Sequence, residues 1–296
     1  MISIIIVTYN SMGVLPNCLE ALVSARGANA FELIVVDNAS TDATRSWLQN
    51  YIQNDSYPFA RVINLNLEEN HGFAYANNRG LEKAAGEYFL LLNPDTEVSP
   101  FAIEKVLQRM MEDNAIGVAG CRLVLKDGRL DRACRRSFPN LWNSFTRLSG
   151  LSLLFPGSRL FSGYNLTYLD DTQAYEVDCV SGAFLMVSAT VYKQVGGLDE
   201  DFFMYGEDID WCYRIKQEGY KVWYEGSVVT LHLKGANGGK HSEESLRSFY
   251  DTMLLYYQKH YAQKGLRIIE IFVRFFLTVL FHTTRFFRTV QMWLKY

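Results

Sequence analysis

The chain runs to 296 residues, 49% hydrophobic and 21% charged, a globular usage that excludes a disordered protein. A net charge of -3 offers no electrostatic footing for nucleic acid. Five dispersed cysteines (Cys18, Cys121, Cys134, Cys179 and Cys212) with no CxxC pair exclude a disulfide framework and a zinc site, and suit a reducing compartment.

Ile2 to Val7 is a β-branched run that ends in Thr8-Tyr9-Asn10 and reads as a buried parallel strand followed by a loop. Because Thr8 and Asn10 interrupt the apolar run so early, no signal peptide is read and a cytoplasmic protein is expected. Leu15, Leu19, Leu22 and Val23 then recur at helical spacing. A second strand, Glu32 to Val36, stops at Asp37-Asn38-Ala39-Ser40, and a helix follows from about Thr41 to Gln53. Arg61 to Leu65 is a third strand, whose Asn70-His71-Gly72 loop leads into a helix ending near Gly86. Tyr88 to Leu92 is a fourth, closing on Asn93-Pro94-Asp95, where proline cannot continue a central strand. Repeated strand-then-helix units predict an α/β fold, with a mostly parallel sheet flanked by helices and right-handed crossovers. Ligands of such sheets bind beyond the carboxyl ends of the strands, where the four polar clusters lie.

Farther along, Ile116 to Val124 reads as a strand and Lys126-Asp127-Gly128-Arg129 as a hairpin turn. From Ser137 to Thr172 no period is visible, so an excursion with little regular structure is expected. Glu176 to Val187 is strand material broken at Ser181-Gly182. A helix beginning near Gly206 puts Asp208 on the same face as Trp211, Cys212 and Ile215, with Glu207, Asp210 and Arg214 flanking. Asp210 and Arg214, four apart, read as a helix-surface ion pair. Asp208 reads either as a first-turn acid favoured by the helix dipole or as a functional carboxylate among apolar side chains. Val222 to Tyr224 and Val228 to Leu231 are short strands ending at His232, before the Gly-rich loop Gly235 to Gly239.

The tail is distinct: residues 266–296 carry +4, against -7 for the rest. Arg267, Glu270, Arg274, Thr278, His282, Arg285, Arg288 and Lys295 track one side of a helix and apolar residues fill the other. Its longest uncharged stretch, Phe275 to Thr284, is about half of the ~20 residues needed to span a bilayer, so the expectation is a helix lying on a membrane. A docking or homo-oligomer helix is the alternative.

Chemically, a nucleotide-diphosphate leaving group needs a partner for its base, groups to fix ribose and phosphates, and a cation. Asp37 is placed to accept from a pyrimidine ring nitrogen or to cap the following helix. Asp95 is a hard oxygen ligand suited to Mg2+ or Mn2+, and His232 is a further ligand or a structural histidine. Neither GxGxxG after the first strand nor GxxxxGK[ST] occurs, which removes nicotinamide and P-loop chemistry.

The ordered set TYN, VDNAS, NHGFAYANNRG, LLNPD, VSGAFLM, GGLDEDFFMYGEDIDWCYRIKQEGY and a later His resembles the inverting family 2 glycosyltransferases of GT-A, Rossmann-like fold, over about residues 1–235. NPD in place of DxD, with GEDIDWCYR, resembles the rhamnosyltransferase-like branch. The resemblance implies that Thr8 and Asn10 border the nucleotide and Asp37 reads its base. Gly72 and Asn77 would lie near base and diphosphate, Asn77 standing where many relatives have Arg. Asp95 would keep the metal role, with Asn93 contributing no charge and His232 a further ligand. Ser181 and Gly182 would line the sugar pocket, and Asp208 would be the general base. The expected organisation is a catalytic domain, 1–235, and a helical membrane-associating extension, 236–296, at the inner face of the cell membrane. The expected reaction moves a sugar, L-rhamnose from dTDP-L-rhamnose as the best single choice, to a lipid-linked or cell-surface glycan acceptor. A nucleotidyltransferase making a nucleotide sugar, and a non-catalytic sugar-binding protein of the same fold, are the alternatives; VTYNSMG lacks the basic residue the former wants.

Overall fold

The computed structural model describes residues 1–25, 27, 29–53, 58–235, 243–262 and 267–293. Every residue of β1 (Ile2–Thr8) and β2 (Phe31–Asn38) is buried, as expected where helices cover both faces of a parallel pair. α1 (Leu15–Ser24) and α2 (Thr44–Gln53) connect β1 to β2 and β2 to β3 (Arg61–Leu67), a half-buried edge strand. After α3 (Phe73–Leu81) the chain returns to pair β4 (Tyr88–Leu92) with the other side of β1. The strand order thus reverses between β1 and β4, and ligands of open α/β sheets bind at such a switch point.

The remaining elements widen the sheet. β5 (Thr96–Val98), α4 (Ala102–Glu112), β6 (Ile116–Val124) and β7 (Arg135–Arg136) precede α5 (Leu141–Leu148) and α6 (Leu151–Leu154). β8 (Tyr175–Val177), β9 (Cys179–Val180), β10 (Phe184–Ser188), α7 (Ala189–Val195), α8 (Glu207–Gln217) and β11 (Lys221–His232) follow. The sheet runs β3-β2-β1-β4-β10-β6-β11-β5, with β8 on β11, while β7 and β9 form a separate ribbon. β10 is antiparallel to both neighbours, so its start, next to Ser181 and Gly182, reaches the edge where β1, β2, β4 and β11 end. One sheet edge therefore collects Thr8, Asp37, Asn93, Ser181 and His232.

Three local expectations are corrected. The two short strands before His232 are one strand, β11, whose register against β6 slips between Glu225 and Val229. The slip falls at Gly226, where a Cβ would stand 2.2 Å from the Gln173 carbonyl, so backbone packing there displaces the ladder. The excursion after Ser137 contains α5 and α6; Asn140 caps α5 by accepting from the Asn143 N–H at 2.8 Å.

Asp210 is the third. It is fully buried rather than superficial, and Arg214 Nε (2.8 Å), Lys259 Nζ (2.7 Å) and His260 Nε2 (2.8 Å) surround it. Burial opposes its charge, but His260, Lys259 and Arg214 outweigh this and bring its pKa down to about 2. Lys259 and His260 end α9 (Glu243–His260), which also sends Tyr256 into the main core.

α10 (Arg267–Trp293) packs on α9, burying Leu277 against Leu246 and Tyr250. Arg274, Thr278, His282 and Arg285 of the polar stripe face the α9 cleft, and Arg285 pairs with Glu243 at 3.0 Å. Ile271, Phe272 and Phe275 point outward, each about two-thirds exposed. No helix among the described residues is long and apolar enough to cross a membrane. Residues 236–239 of the Gly-rich loop and Lys295 of the tail stripe lie outside the described residues.

A carboxylate with a depressed pKa contributes stability above its unfolded value, near 3.8, and loses it as pH falls through about 2; the shift is worth about 2 kcal/mol. Asp210→Asn, which removes the carboxylate shared by Arg214, Lys259 and His260 and leaves Lys259 only Asp199 among the described residues, should lower unfolding free energy in urea by about 2–4 kcal/mol at pH 7. The deficit should shrink towards pH 2, and a pH-independent deficit would show the charge to be irrelevant.

Candidate active site

At the end of β2, Asp37 is completely buried. It accepts hydrogen bonds from Thr8 Oγ1 (3.2 Å), the Ser40 N–H (3.2 Å) and Arg45 Nε (3.0 Å), and pairs with Arg45 Nη2 at 2.9 Å. Arg45, in the first turn of α2, has no sequence motif to announce it. The first turn of α2 is served instead by Asp42, whose Oδ1 accepts from the Thr44 N–H at 2.9 Å, so Asp37 is not spent as a cap. Asn10, in the left-handed region (φ 52°), accepts from the Thr41 and Asp42 N–H groups and lashes the β1 loop to the β2 loop.

Asn38 fixes the next loop. Its Nδ2 donates to Asn70 Oδ1 (2.8 Å) and the Gly72 carbonyl (3.2 Å), and its Oδ1 accepts from the His71 N–H. Gly72 has φ +87°, and a Cβ there would lie 2.3 Å from the Phe203 carbonyl oxygen, so only glycine fits. Asn77, 1% exposed, donates to the Phe73 carbonyl of its own helix at 2.9 Å. Asn78, which the sequence reading passed over, clamps the 198–200 segment through Leu198 and Glu200. That segment leads to α8, whose Trp211 is buried in the core with its indole N–H on the Gly196 carbonyl at 2.8 Å.

Asn93 is held by its backbone N–H on the Ala183 carbonyl (3.1 Å), while its side-chain oxygen is buried without a hydrogen-bond partner among the described residues. Asp95 and His232 face each other, Oδ1 to Nε2, at 3.4 Å. The other ring nitrogen of His232 meets Asp131 at 2.8 Å, and Lys234 reaches Asp131 at 2.7 Å. Burial opposes charging His232, but Asp131 and Asp95 outweigh it and raise its pKa. Against the same cost of burial, His232 and Lys234 hold the Asp131 carboxyl far below the ordinary range. Asp131 and Lys234 were not singled out in the sequence, where nothing ties either to a histidine a hundred residues away.

Asp208 lies in the first turn of α8, behind Gly206 at φ +82°. Its Oδ2 accepts from Arg136 Nη2 at 2.6 Å and from the Gly182 N–H at 3.1 Å, and no hydrogen bond from the described residues reaches Oδ1. Arg136 is buried, and the adjacent Asp208 charge outweighs burial to raise its pKa. Gly182 also abuts the Phe73 ring, which a Cβ would approach to 3.3 Å, joining the Gly72 loop to Asp208. Ser181 turns inward, its Oγ accepting from the Ala183 N–H at 3.3 Å. Glu207 is buried with Oε2 unpaired; burial first, and the charge of Asp208 second, push its pKa up to about 8. Adjacent carboxyls are thus split into a neutral acid and an arginine-paired carboxylate. No group of three or more His, Cys, Asp or Glu side chains able to hold a metal occurs among the described residues.

A sequence model described as glycosyl transferase family 2 matches residues 3–196. The chain is 28% identical over 235 residues to the low-salt glycan biosynthesis hexosyltransferase Agl10 of Haloferax volcanii, covering 78% of this chain and 66% of that one, just under two thirds. It is 26% identical over 264 residues to the N-acetylglucosaminyl-diphospho-decaprenol L-rhamnosyltransferase of Mycobacterium tuberculosis, covering 86% and 82%. Among solved structures, a mannosyltransferase of Pyrobaculum calidifontis in complex with GDP-Man and Mn2+ superposes with a TM-score of 0.62 at 16% identity, covering 87% of this chain and 63% of that one.

An acid with a raised pKa keeps its proton in the folded state up to about 8 and gives it up near 4.5 when unfolded, so it erodes stability as pH rises between them. Glu207→Gln should therefore lose stability less steeply than the parent between pH 5 and pH 8 in denaturant titrations. Parallel slopes would mean that Glu207 is ionised in the fold.

Proposed function

The chain belongs to glycosyl transferase family 2 and has the GT-A fold, and on that premise we propose that it is an inverting, metal-dependent glycosyltransferase using a nucleotide-sugar donor. The observation that carries this reading is Asp208: one carboxylate oxygen is pinned by Arg136 and Gly182 while the other stays unbonded. An inverting transfer needs such a group, to take the proton of the acceptor hydroxyl as the anomeric carbon is attacked from the face opposite the diphosphate. Asp208 Oδ1 is the oxygen we assign to that proton. Ser181 and Gly182, at the start of β10, line the sugar pocket beside it.

Thr8, Asn10 and Asp37 receive the nucleoside, with Asp37 accepting from the base and Arg45 orienting its carboxylate. Gly72 allows the backbone of its loop to close against Phe203 near the diphosphate, and Asn77 supports the helix start behind it. The partnerless oxygen of Asn93 and the facing pair Asp95 and His232 fit a divalent cation such as Mg2+ or Mn2+, with Asp131 orienting the imidazole from behind. Asp95 and His232 would hold the ion. When bound, it supplies positive charge to offset the departing diphosphate.

For the donor we take dTDP-L-rhamnose, and for the acceptor a lipid-linked or cell-surface glycan. The NPD and GEDIDWCYR motifs and the likeness to the mycobacterial rhamnosyltransferase support that choice. The work is placed at the cytoplasmic face of the cell membrane, where the outward Ile271, Phe272 and Phe275 of α10 rest on the bilayer. A second copy of the chain is the competing cover for that stripe.

A donor-hydrolysis assay across a panel of nucleotide sugars tests the donor. Asp208→Asn should lower turnover by about 100-fold or more with donor affinity retained, and full activity in that variant would remove the base assignment. Asp95→Ala should abolish the dependence of donor binding on added Mn2+, read by calorimetry. Removing residues 266–296 should lower recovery with membranes in a flotation assay; unchanged recovery, or conversion of a dimer to a monomer, would end the anchoring role of α10.

A further inference from the structure

Between Arg132 and Leu169 the sequence holds five arginines and no aspartate or glutamate, in a chain whose net charge is -3. Two of the five are consumed internally. Arg135 donates to the carbonyls of Leu166, Leu169 and Asp170, and Arg136 holds Asp208. Arg132, Arg147 and Arg159 form no ion pair among the described residues; Arg147 and Arg159 lie over the rings of Tyr164 and Tyr168.

The same segment carries a dense set of exposed large apolar side chains. Leu141, Trp142 and Phe145 on α5, with Leu153, Leu154 and Phe155 on and after α6, are each 45–73% exposed. They form one ordered surface. The Trp142 indole donates to the Leu160 carbonyl at 2.9 Å, and the Phe161 ring lies 6.2 Å from that of Trp142 and 5.3 Å from that of Phe155. Ser162 Oγ donates to the carbonyls of Ser152 and Phe155. The base is tied by Ser137, which donates to the Gly163 carbonyl at 2.7 Å and is next to Arg136. The Trp142 hydrogen bond and the ring contacts among Trp142, Phe145, Phe155 and Phe161 hold an aromatic cluster together, and Leu141, Leu153 and Leu154 stand exposed on the same two helices.

We propose that the α5–α6 knob is a membrane-inserting surface, independent of α10, that takes an anionic phospholipid bilayer. Leucine, tryptophan and phenylalanine supply the inserted area, and arginines at its margin that have no carboxylate partner among the described residues, Arg147 being held by Asn165 Oδ1, suit headgroup phosphates, which guanidinium binds through paired N–H groups. Charge also decides against a symmetric contact between two copies: a two-fold axis sets the patch against itself, facing arginines with arginines and no acid between. Because the knob is rooted beside Arg136, bilayer contact sets the lipid surface on the side of the molecule from which Asp208 is gripped. This surface rests on side-chain exposure and charge, not on the transfer reaction.

The test uses the full chain with vesicles of phosphatidylcholine containing about 30 mol% phosphatidylglycerol, and vesicles of phosphatidylcholine alone. Leu153→Glu/Leu154→Glu should weaken partitioning onto the anionic vesicles by about tenfold or more, with thermal unfolding unchanged. Brominated acyl chains should quench tryptophan fluorescence, and Trp142→Phe should remove part of that quenching, which reads the knob directly even where α10 also binds. Unchanged partitioning in the double variant, quenching undiminished in Trp142→Phe, or loss of a sedimenting oligomer in the double variant would each overturn the proposal, the last by showing that another copy covers the patch. Donor hydrolysis measured on the same samples is a separate reading: its absence counts against the proposed reaction and leaves vesicle binding to decide the surface.

Discussion

Carboxylates withdrawn from water must each find compensation, and this structure meets that demand repeatedly at one sheet edge and on one helix. Asp37 has Arg45, Asp131 has His232 and Lys234, Asp208 has Arg136, and Asp210 has Arg214, Lys259 and His260. Glu207, with no counter-charge of its own and an ionised neighbour, keeps its proton instead. The elements of the second half are placed where they can deliver these partners. The two-residue strand β7 brings Arg136 to Asp208, and the last turn of α9 brings Lys259 and His260 to Asp210.

The first half of the fold was legible because its signals are local. β1 and β2 are continuous apolar runs, each strand stops at polar residues, and helical spacing follows, so Thr8, Asp37, Asn93 and Asp95 could be placed on one edge before any coordinates. The helix carrying Asp208 starts where its glycine and flanking acids suggested. What was not legible is long-range. Arg45, Asp131 and Arg136 have ordinary sequence surroundings and acquire meaning only from partners brought to them by the sheet. Asp210 was misplaced for the same reason: an i,i+4 pair with Arg214 explains it completely until α9 arrives with Lys259 and His260. α5 and α6 were missed because their apolar side chains face outward, so neither a buried stripe nor a polar face marks them.

The candidate site is braced around α8. Gly72 against Phe203, Asn78 on the 198–200 segment and Trp211 on Gly196 fasten the approach to α8 at three points. The carboxylate proposed as the base, on such a frame, is oriented before any substrate arrives, so little binding energy need go into arranging it.

The Asp210 cluster bears on how far this architecture can be taken apart. Helix α8 carries the proposed base, yet its buried acid is neutralised partly by residues fifty positions later in the chain. A chimera that exchanged α8 alone between two such proteins, or joined a foreign C-terminal segment after β11, would strand a charge in the interior. The unit of modular exchange is therefore α8 together with the end of α9, and natural recombination that preserves function should keep that pair on the same side of a crossover.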